Sequence, residues 1–341
     1  RSWERVRRFE SGTVTAIAVH PQQAGGVAVA VELPAPAADP GPATPRSQVF
    51  VSFDLGESWS SDHQLDLERV RDLAWLVRDG ETVLLMASDV GLYEAEIAPG
   101  VPAIPRLHIV DAAAPDRGFY AVTTAHDAGP EPMVAVAAQD REGVYLSARG
   151  GVGGSWRKPS LTGLDIRTLE VEFDGARSFL WAGAVALADE EGEGCRRIEL
   201  RGDHTDLTLW KTLKRNWIGG GCYGLTFAGD AVYAATWRAG VLRLDGRADD
   251  AAWRPCSINA GLPLRDAPNR FAPVYGVAVH RDAPDRLLVG GPEGVFGSTD
   301  EGAHYAALGA AEFVDAVTLP PTWVFVSGEH ALDLAVRDDR E

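Results

Sequence analysis

The chain has 341 residues, of which 45% are hydrophobic, and its formal net charge at pH 7 is −17. This length allows one large repeat fold or two ordinary domains, in either case with a sizeable core. The acidic balance argues against a nucleic-acid binder, which would present a basic face, and against binding to anionic membranes. We therefore expect neither nucleic acid nor a membrane as a partner.

The location of the protein is predicted from its cysteines and its first residues. The three cysteines are widely spaced and odd in number, which is typical of a reducing compartment rather than of a disulfide framework. The sequence opens with RSWERVRRF, without Met and without a signal-peptide pattern. We expect a cytoplasmic protein, or a module of a larger multidomain chain, and the Arg and Ala bias indicates a bacterial origin.

In chain order, a short segment with alternating apolar residues recurs at intervals of roughly 40 to 57 residues, which is the spacing of repeat folds. Each copy is predicted to be the innermost strand of one repeat. The copies are TAIAVHP (Thr15–Pro21), RDLAWLV (Arg71–Val77), YAVTTAH (Tyr120–His126), RTLEVEF (Arg167–Phe173), YGLTFAG (Tyr223–Gly229), YGVAVHR (Tyr275–Arg281) and VDAVTLP (Val314–Pro320).

Two further markers follow these segments in a constant order. A glycine before an apolar pair predicts a tight turn between strands, at Gly91, Gly143, Gly240 and Gly294. An aromatic residue then opens the outer strand, at Trp59, Trp156, Trp210, Trp253 and Tyr305. Each repeat is therefore predicted to be a four-stranded antiparallel sheet.

The two chain ends are predicted to complete one repeat between them. The last repeat lacks a fourth strand, and SWERVRRF near the N-terminus resembles SWRKPS and AWRPCS of the outer strands. We predict that residues 2–9 form the outer strand of the last sheet within a single domain, 1–341. Residues 32–47 read as a flexible Pro- and Ala-rich insertion, and residues 186–197 as an acidic hairpin insertion.

The stretch SFDLGESWS places Ser52, Asp54, Gly56 and Trp59 at offsets that recur in GSTDEGAHY as Ser298, Asp300, Gly302 and Tyr305. Ser and Asp side chains hydrogen-bond to nearby backbone and fix a turn, while Gly supplies a backbone angle that other residues avoid. The aromatic residue anchors the next strand. We therefore interpret these residues as structural rather than catalytic.

These spacings resemble the Asp-box, or bacterial-neuraminidase repeat, which in that family closes the hairpin between the third and fourth strands of a β-propeller blade. The resemblance and the repeats together predict an all-β, seven-bladed β-propeller of four-stranded antiparallel blades, closed by the N-terminal strand. Similar propellers include sialidases, xyloglucan-active glucanases, sortilin-type receptors and photosystem assembly factors. Several of these are not enzymes, so the fold alone does not assign an activity.

Enzymatic chemistry finds little support in the motifs. The Arg-Ile-Pro motif of sialidases is absent, and the nearest string, IPRL, has the wrong order. A glycoside hydrolase needs two carboxylates across a cleft. Candidates that start or precede inner strands are Asp72, Asp116, Asp165, Asp266 and Asp315, but we interpret them as turn and strand-cap residues of an acidic protein. No close His or Cys pairs and no phosphate loop occur, so we expect neither a metal nor a cofactor.

The loops that lead into the inner strands combine arginine with aromatic residues, the types that dominate binding hot spots. The binding-face candidates are Arg117, Phe119, Arg215, Trp217, Arg270, Phe271 and Phe313. Packing is the alternative for these residues, and Tyr120, Tyr223 and Tyr275 recur at one position and are expected to be core. We predict a non-catalytic protein- or peptide-binding propeller, a module or subunit of a larger bacterial assembly. The alternatives are a glycoside hydrolase using two loop carboxylates and an assembly factor similar to the photosystem propellers.

Overall fold

A computed structural model describes residues 12–23, 25–33, 46–54, 56–60, 64–98, 100–186, 191–248, 250–256, 261–265, 270–280 and 283–308. These residues form 23 β-strands and no helix, so none of their elements is a helix that could span a membrane. The strands are β1 (Thr13–Val19), β2 (Val27–Leu33), β3 (Arg46–Ser52), β4 (Leu65–Glu68), β5 (Val70–Arg78), β6 (Glu81–Ser88), β7 (Gly91–Glu96), β8 (Arg106–His108), β9 (Phe119–Ala125), β10 (Met133–Ala138), β11 (Gly143–Ser147), β12 (Asp165–Phe173), β13 (Ser178–Val185), β14 (Cys195–Leu200), β15 (Lys211–Leu213), β16 (Cys222–Ala228), β17 (Ala231–Thr236), β18 (Val241–Asp245), β19 (Trp253–Pro255), β20 (Gly276–His280), β21 (Ala283–Gly291), β22 (Gly294–Ser298) and β23 (Ala306–Ala307).

The strands form six sheets whose members are consecutive in the chain. Five sheets have four strands, in the orders β1-β2-β3-β4, β5-β6-β7-β8, β12-β13-β14-β15, β16-β17-β18-β19 and β20-β21-β22-β23. The sheet β9-β10-β11 has three, and Trp156 and Ser160 make isolated antiparallel bridges to β11 in place of a fourth strand. The prediction of four-stranded antiparallel repeats is confirmed for the other five.

The six innermost strands predicted within the described residues coincide with β1, β5, β9, β12, β16 and β20, the first strand of each sheet. The seventh segment, VDAVTLP, lies outside the described residues, as do residues 2–9 that were predicted to pair with it. A seventh blade and closure by the N-terminal strand therefore stay predictions.

The predicted glycine turns all lie between the second and third strands of a sheet, and all four glycines have positive φ. Gly143 shows why no other residue fits: its φ is +92°, and an added Cβ would overlap the carbonyl oxygen of Ser160. The aromatic markers Trp210, Trp253 and Tyr305 stand at or just before an outer strand, whereas β4 begins only at Leu65, beyond Trp59.

Strands extend into the ends of both predicted insertions, 32–47 and 186–197. β2 continues to Leu33 and β3 begins at Arg46, so only residues 34–45 fall between the strands, outside the described residues. β14 begins at Cys195, which leaves residues 186–194 between β13 and β14.

The chain divides into two compact units: unit 1 holds residues up to Phe179 together with Glu199–Thr208, and unit 2 holds Leu180–Ile198 and residues from Leu209 onward. In unit 1, alternate residues of neighbouring sheets interlock, with the fully buried Leu84 and Met86 packed near Val49. Burying each such side chain contributes about 1.5–3 kcal/mol. In unit 2 the fifth and sixth sheets share a core of the same kind.

Neighbouring first strands of unit 1 are joined by polar side chains rather than by strand pairing. The Thr15 hydroxyl donates to the Val70 carbonyl at 2.8 Å. The Asp72 carboxylate accepts the Val122 N–H at 2.7 Å and the Leu73 N–H at 2.8 Å. These bonds satisfy buried groups at the junction of two sheets and hold adjacent first strands in register.

Candidate functional site

The serine–aspartate turn after β3 has the geometry expected from its residue types. Ser52 Oγ accepts the Gly56 N–H at 2.7 Å and donates to Asp54 Oδ1 at 2.8 Å. The Asp54 carboxylate accepts the Ser58 hydroxyl and the Ser58 N–H. These Ser58 bonds, with the bond from Ser52, lower the pKa of Asp54 to about 2. The carboxylate is therefore held ionised by its own turn.

The turn after β22 repeats this arrangement bond for bond. Ser298 Oγ accepts the Gly302 N–H at 2.9 Å and donates to Asp300 Oδ1 at 2.9 Å. Asp300 accepts the His304 N–H at 2.9 Å and lies 2.7 Å from His304 Nδ1. The bonds to His304 are the main reason that the pKa of Asp300 falls to about 2. Both aspartates accept hydrogen bonds within their own turns.

A third version of the turn dispenses with the aspartate. Ser147 Oγ accepts the Gly151 N–H at 3.0 Å and the Arg149 N–H at 3.2 Å, and Ser155 Oγ lies 2.6 Å away where the carboxylate would stand.

The aromatic residue after each of the other two turns packs against apolar residues. Trp59 meets Phe50 edge-on at 6.5 Å, and Tyr305 is buried in the core of unit 2.

Of the carboxylates considered for hydrolysis, the three described ones are either engaged in hydrogen bonds or exposed. Asp72 accepts two backbone N–H groups, and Asp165 forms a two-bond ion pair with Arg167 at 2.8 and 3.0 Å. Asp116 is exposed, and Asp266 and Asp315 lie outside the described residues. Ten carboxyl groups of the described residues have a pKa shifted downward. A glycosidase acid needs the opposite shift.

Unit 1 carries a polar cluster where its first strands begin. Arg71 holds Asp89 with two bonds of 2.5 and 3.0 Å, and Gln139 donates to the same carboxylate at 2.6 Å. Burial alone would raise the pKa of Asp89, but these hydrogen bonds outweigh it and lower the pKa. Arg167 stacks 3.6 Å above the Tyr120 ring. Arg71 pairs with Asp89 and Arg167 pairs with Asp165, so these two arginine charges are neutralised within the protein.

Two predicted binding residues of unit 1 are used internally. Phe119 is buried and meets Tyr145 edge-on at 6.4 Å. Arg117 lies 3.4 Å from Asp111 and 3.3 Å from Glu142, so its charge is neutralised by two carboxylates. These contacts place Phe119 in the core and leave Arg117 only a partly exposed guanidinium.

Two predicted residues of unit 2 lie just before β16 and differ in exposure. Trp217 is only 3% exposed, donates from Nε1 to the Gly220 carbonyl at 3.0 Å and meets Trp253 edge-on at 5.1 Å. Arg215 is exposed and donates to the Asp250 carbonyl at 2.9 Å. Trp217 therefore shapes the loop from below, while Arg215 stays at the surface.

Three loops of unit 2 meet to form what we call the three-loop surface. It consists of residues 215–221 before β16, 237–240 between β17 and β18, and 261–265 with 270–274 before β20. The Arg238 N–H donates to the Gly219 carbonyl at 3.2 Å, and its Nε donates to the Ile218 carbonyl at 3.0 Å. The Phe271 N–H donates to the Arg238 carbonyl at 3.0 Å. The middle loop thus binds both of the others.

An aromatic base supports these loops. Tyr223, Trp237 and Tyr275 form a triangle with ring centroids 5.2, 6.0 and 6.4 Å apart. Both tyrosines are buried, as the packing alternative predicted, whereas Trp237 is half-buried. The Arg265 guanidinium carbon lies 4.8 Å above the Trp237 ring. The three rings therefore pack against one another, and the Arg265 guanidinium lies over Trp237.

Aliphatic side chains stand exposed on the same loops. Leu264 is 67% exposed and Ile218 is 44% exposed. Leu264 also forms an isolated antiparallel bridge with Phe271, which packs against the core of unit 2. Arg270 is half-buried, and Phe313 lies outside the described residues. The three-loop surface thus carries both exposed aliphatic side chains and arginine, and packed aromatic rings lie beneath Arg265.

Trp237, Arg265 and Leu264 were missed by sequence reasoning. The string WRAGVL predicted only a turn at its glycine, although a Trp-Arg pair precedes that turn. Arg265 and Leu264 sit in a Pro-rich connection that has no counterpart in the other repeats, so no repeated position singled them out. Within the described residues, no group of three or more His, Cys, Asp or Glu side chains could hold a metal ion.

Comparison with known proteins identifies a fold but no family. No protein-family model matches the chain, and no curated protein matches it. Among solved structures, it is similar to the GH74 xyloglucanase from Xanthomonas campestris, with a TM-score of 0.58, 14% identity and coverage of 90% of this chain. The chain spans only 56% of that enzyme.

Two further solved structures are similar to the chain. Sqt1 from Chaetomium thermophilum has a TM-score of 0.53 at 15% identity, with 87% of this chain and 72% of Sqt1 covered. YCF48 bound to a D1 peptide has a TM-score of 0.52 at 10% identity, with 92% of this chain and 87% of YCF48 covered. Together with the six antiparallel sheets, these likenesses show a β-propeller fold.

Proposed function

We propose that this chain is a non-catalytic propeller that binds a protein or peptide through the three-loop surface. The observation that carries the proposal is the exposure of Leu264 and Ile218 on the same three loops that hold Arg265 over an aromatic base. Exposed apolar groups around aromatic and arginine anchors are typical of binding hot spots. Loops held on a rigid scaffold suit recognition because little ordering is needed on binding.

The alternative of a glycoside hydrolase has weaker support. Asp72 and Asp165 are bound to backbone N–H groups and to an arginine, and the serine–aspartate turns use their carboxylates internally. Likeness to a xyloglucanase at 14% identity bears on the fold alone. The YCF48 structure with its D1 peptide supports peptide binding as a use of this fold.

The proposed partner belongs to a larger bacterial assembly in the cytoplasm. A reducing location is supported by the three cysteines, which are all buried free thiols rather than disulfides. Reduced and oxidised purification from the native host, compared for disulfide content, tests this location; an intermolecular disulfide in the native protein would contradict it.

Selection of a random displayed peptide library on the purified chain tests the function. We expect enrichment of related peptides on the wild-type protein and its loss in the double variant Ile218→Ser, Leu264→Ser. The matched control is Val101→Ser, Ile104→Ser, since these side chains are 51% and 67% exposed in unit 1. Peptides that bind wild type and both variants equally would place recognition elsewhere.

A further inference from the structure

The three-loop surface has a charge opposite to that of the whole protein. Its described segments contain Arg215, Arg238, Arg265 and Arg270 and no Asp or Glu, in a chain of net charge −17. The acidic residue of the same connection, Asp266, lies outside the described residues. On an acidic molecule, an arginine-rich surface attracts acidic partners to itself.

Arg265 is the cation best placed to contact a partner. Its side chain is exposed and stacks on Trp237, and no described residue forms an ion pair or side-chain hydrogen bond with it. Stacking fixes the plane of the guanidinium and leaves its N–H edge open for a carboxylate. By contrast, Arg71 and Arg167 in unit 1 are each closed by an aspartate.

An apolar contact lies next to this cation. Leu264 precedes Arg265 in the chain and is 67% exposed, and Ile218 is fixed nearby through its carbonyl bond with Arg238. A partner that binds both features needs an apolar side chain and a carboxylate close together. A free small acid lacks the first, and a nucleic acid would be repelled by the net charge of −17.

We propose that the three-loop surface binds an acidic, apolar segment of a partner protein, with a carboxylate on Arg265 and an aliphatic side chain on Leu264. This inference rests on the proposed function and adds the chemistry of the partner. Arg265 selects charge, and Leu264 supplies contact area that does not depend on charge.

Fluorescence anisotropy with labelled synthetic peptides on the full chain tests the assignment. The probe alternates Asp and Leu, and its matched forms replace Asp with Asn, Asp with Lys, or Leu with Ser. We expect the Asp–Leu peptide to bind about tenfold more tightly than the Asn–Leu form, the scale of one charge-assisted contact. Arg265→Ala removes that preference and leaves Asn–Leu binding unchanged, whereas Leu264→Ser weakens both.

The matched control is Arg106→Ala, because Arg106 is exposed on β8 and far from the three loops in sequence. Equal affinity for the Asp–Leu and Lys–Leu peptides, or equal loss for all peptides in Arg265→Ala, overturns the charge assignment while peptide binding stands. If no peptide binds here and none is enriched from the library, the proposed function itself is wrong. Tighter binding of oligothymidylate than of Asp–Leu, abolished by Arg265→Ala, would replace the protein partner by a nucleic acid.

Discussion

Replacing Ser52 by alanine removes the acceptor at the centre of the first serine–aspartate turn. The buried Gly56 N–H, now 2.7 Å from Ser52 Oγ, would lose its partner. An unsatisfied buried donor costs about 1–3 kcal/mol, and the partly buried bond to Asp54 adds less, so we expect a loss of about 2 kcal/mol. The copy at Ser298 has the same bonds within 0.2 Å, so Ser298→Ala should cost the same.

Urea unfolding followed by tryptophan fluorescence measures this loss. With m near the upper end of its range, about 3 kcal/mol/M, the midpoint should fall by about 0.7 M at unchanged m. Ser58→Ala is the matched control, since Ser58 is exposed and only donates to Asp54. Amide hydrogen exchange at Gly56 locates the effect. A midpoint equal to that of the Ser58 variant would refute the assignment of Ser52 as the centre of the turn.

Burial lowers the pKa of His20 and His126, so folding keeps them neutral while the unfolded chain takes up protons below about pH 6.5. The free energy of unfolding should therefore be highest above that pH and fall on acidification. In His20→Asn the melting temperature should fall less steeply with decreasing pH; an unchanged dependence on pH would contradict this. The Asp54 pKa of about 2 means that its contribution is present above about 3.8 and lost toward 2, which carboxyl NMR titration can check. Cys195 and Cys222 are fully buried with sulfurs 3.7 Å apart, and burial raises the Cys195 pKa, so thiol reagents should label neither without denaturant, as mass spectrometry would show.

Local signals made the strand pattern and the turns predictable. Ser, Asp and Gly at fixed offsets act on their own backbone, and alternation of apolar residues acts within one strand, so both are visible without tertiary context. The outer strand after Trp59 was less predictable, because its start at Leu65 depends on pairing with β3 rather than on the aromatic residue.

The candidate site was predictable only in part. Arginine and aromatic residues were expected on loops before inner strands, and two such loops meet the β17–β18 loop in unit 2. Sequence could not separate Trp217, which is buried under its loop, from Trp237, which is half-buried at the surface. That difference depends on how three distant segments pack together, which no repeated pattern encodes.

The bonds from Thr15 and Asp72 across neighbouring first strands restrict how this molecule can be rebuilt. Donor and acceptor reside in different sheets, so a sheet transplanted into another scaffold would carry only half of each bond. A chimera that brings Asp72 without a matching N–H would keep its bond from Leu73 and lose the bond from the neighbouring sheet. In a chimera, the boundary should therefore lie within a sheet, so that both first strands joined by such a bond are transferred together.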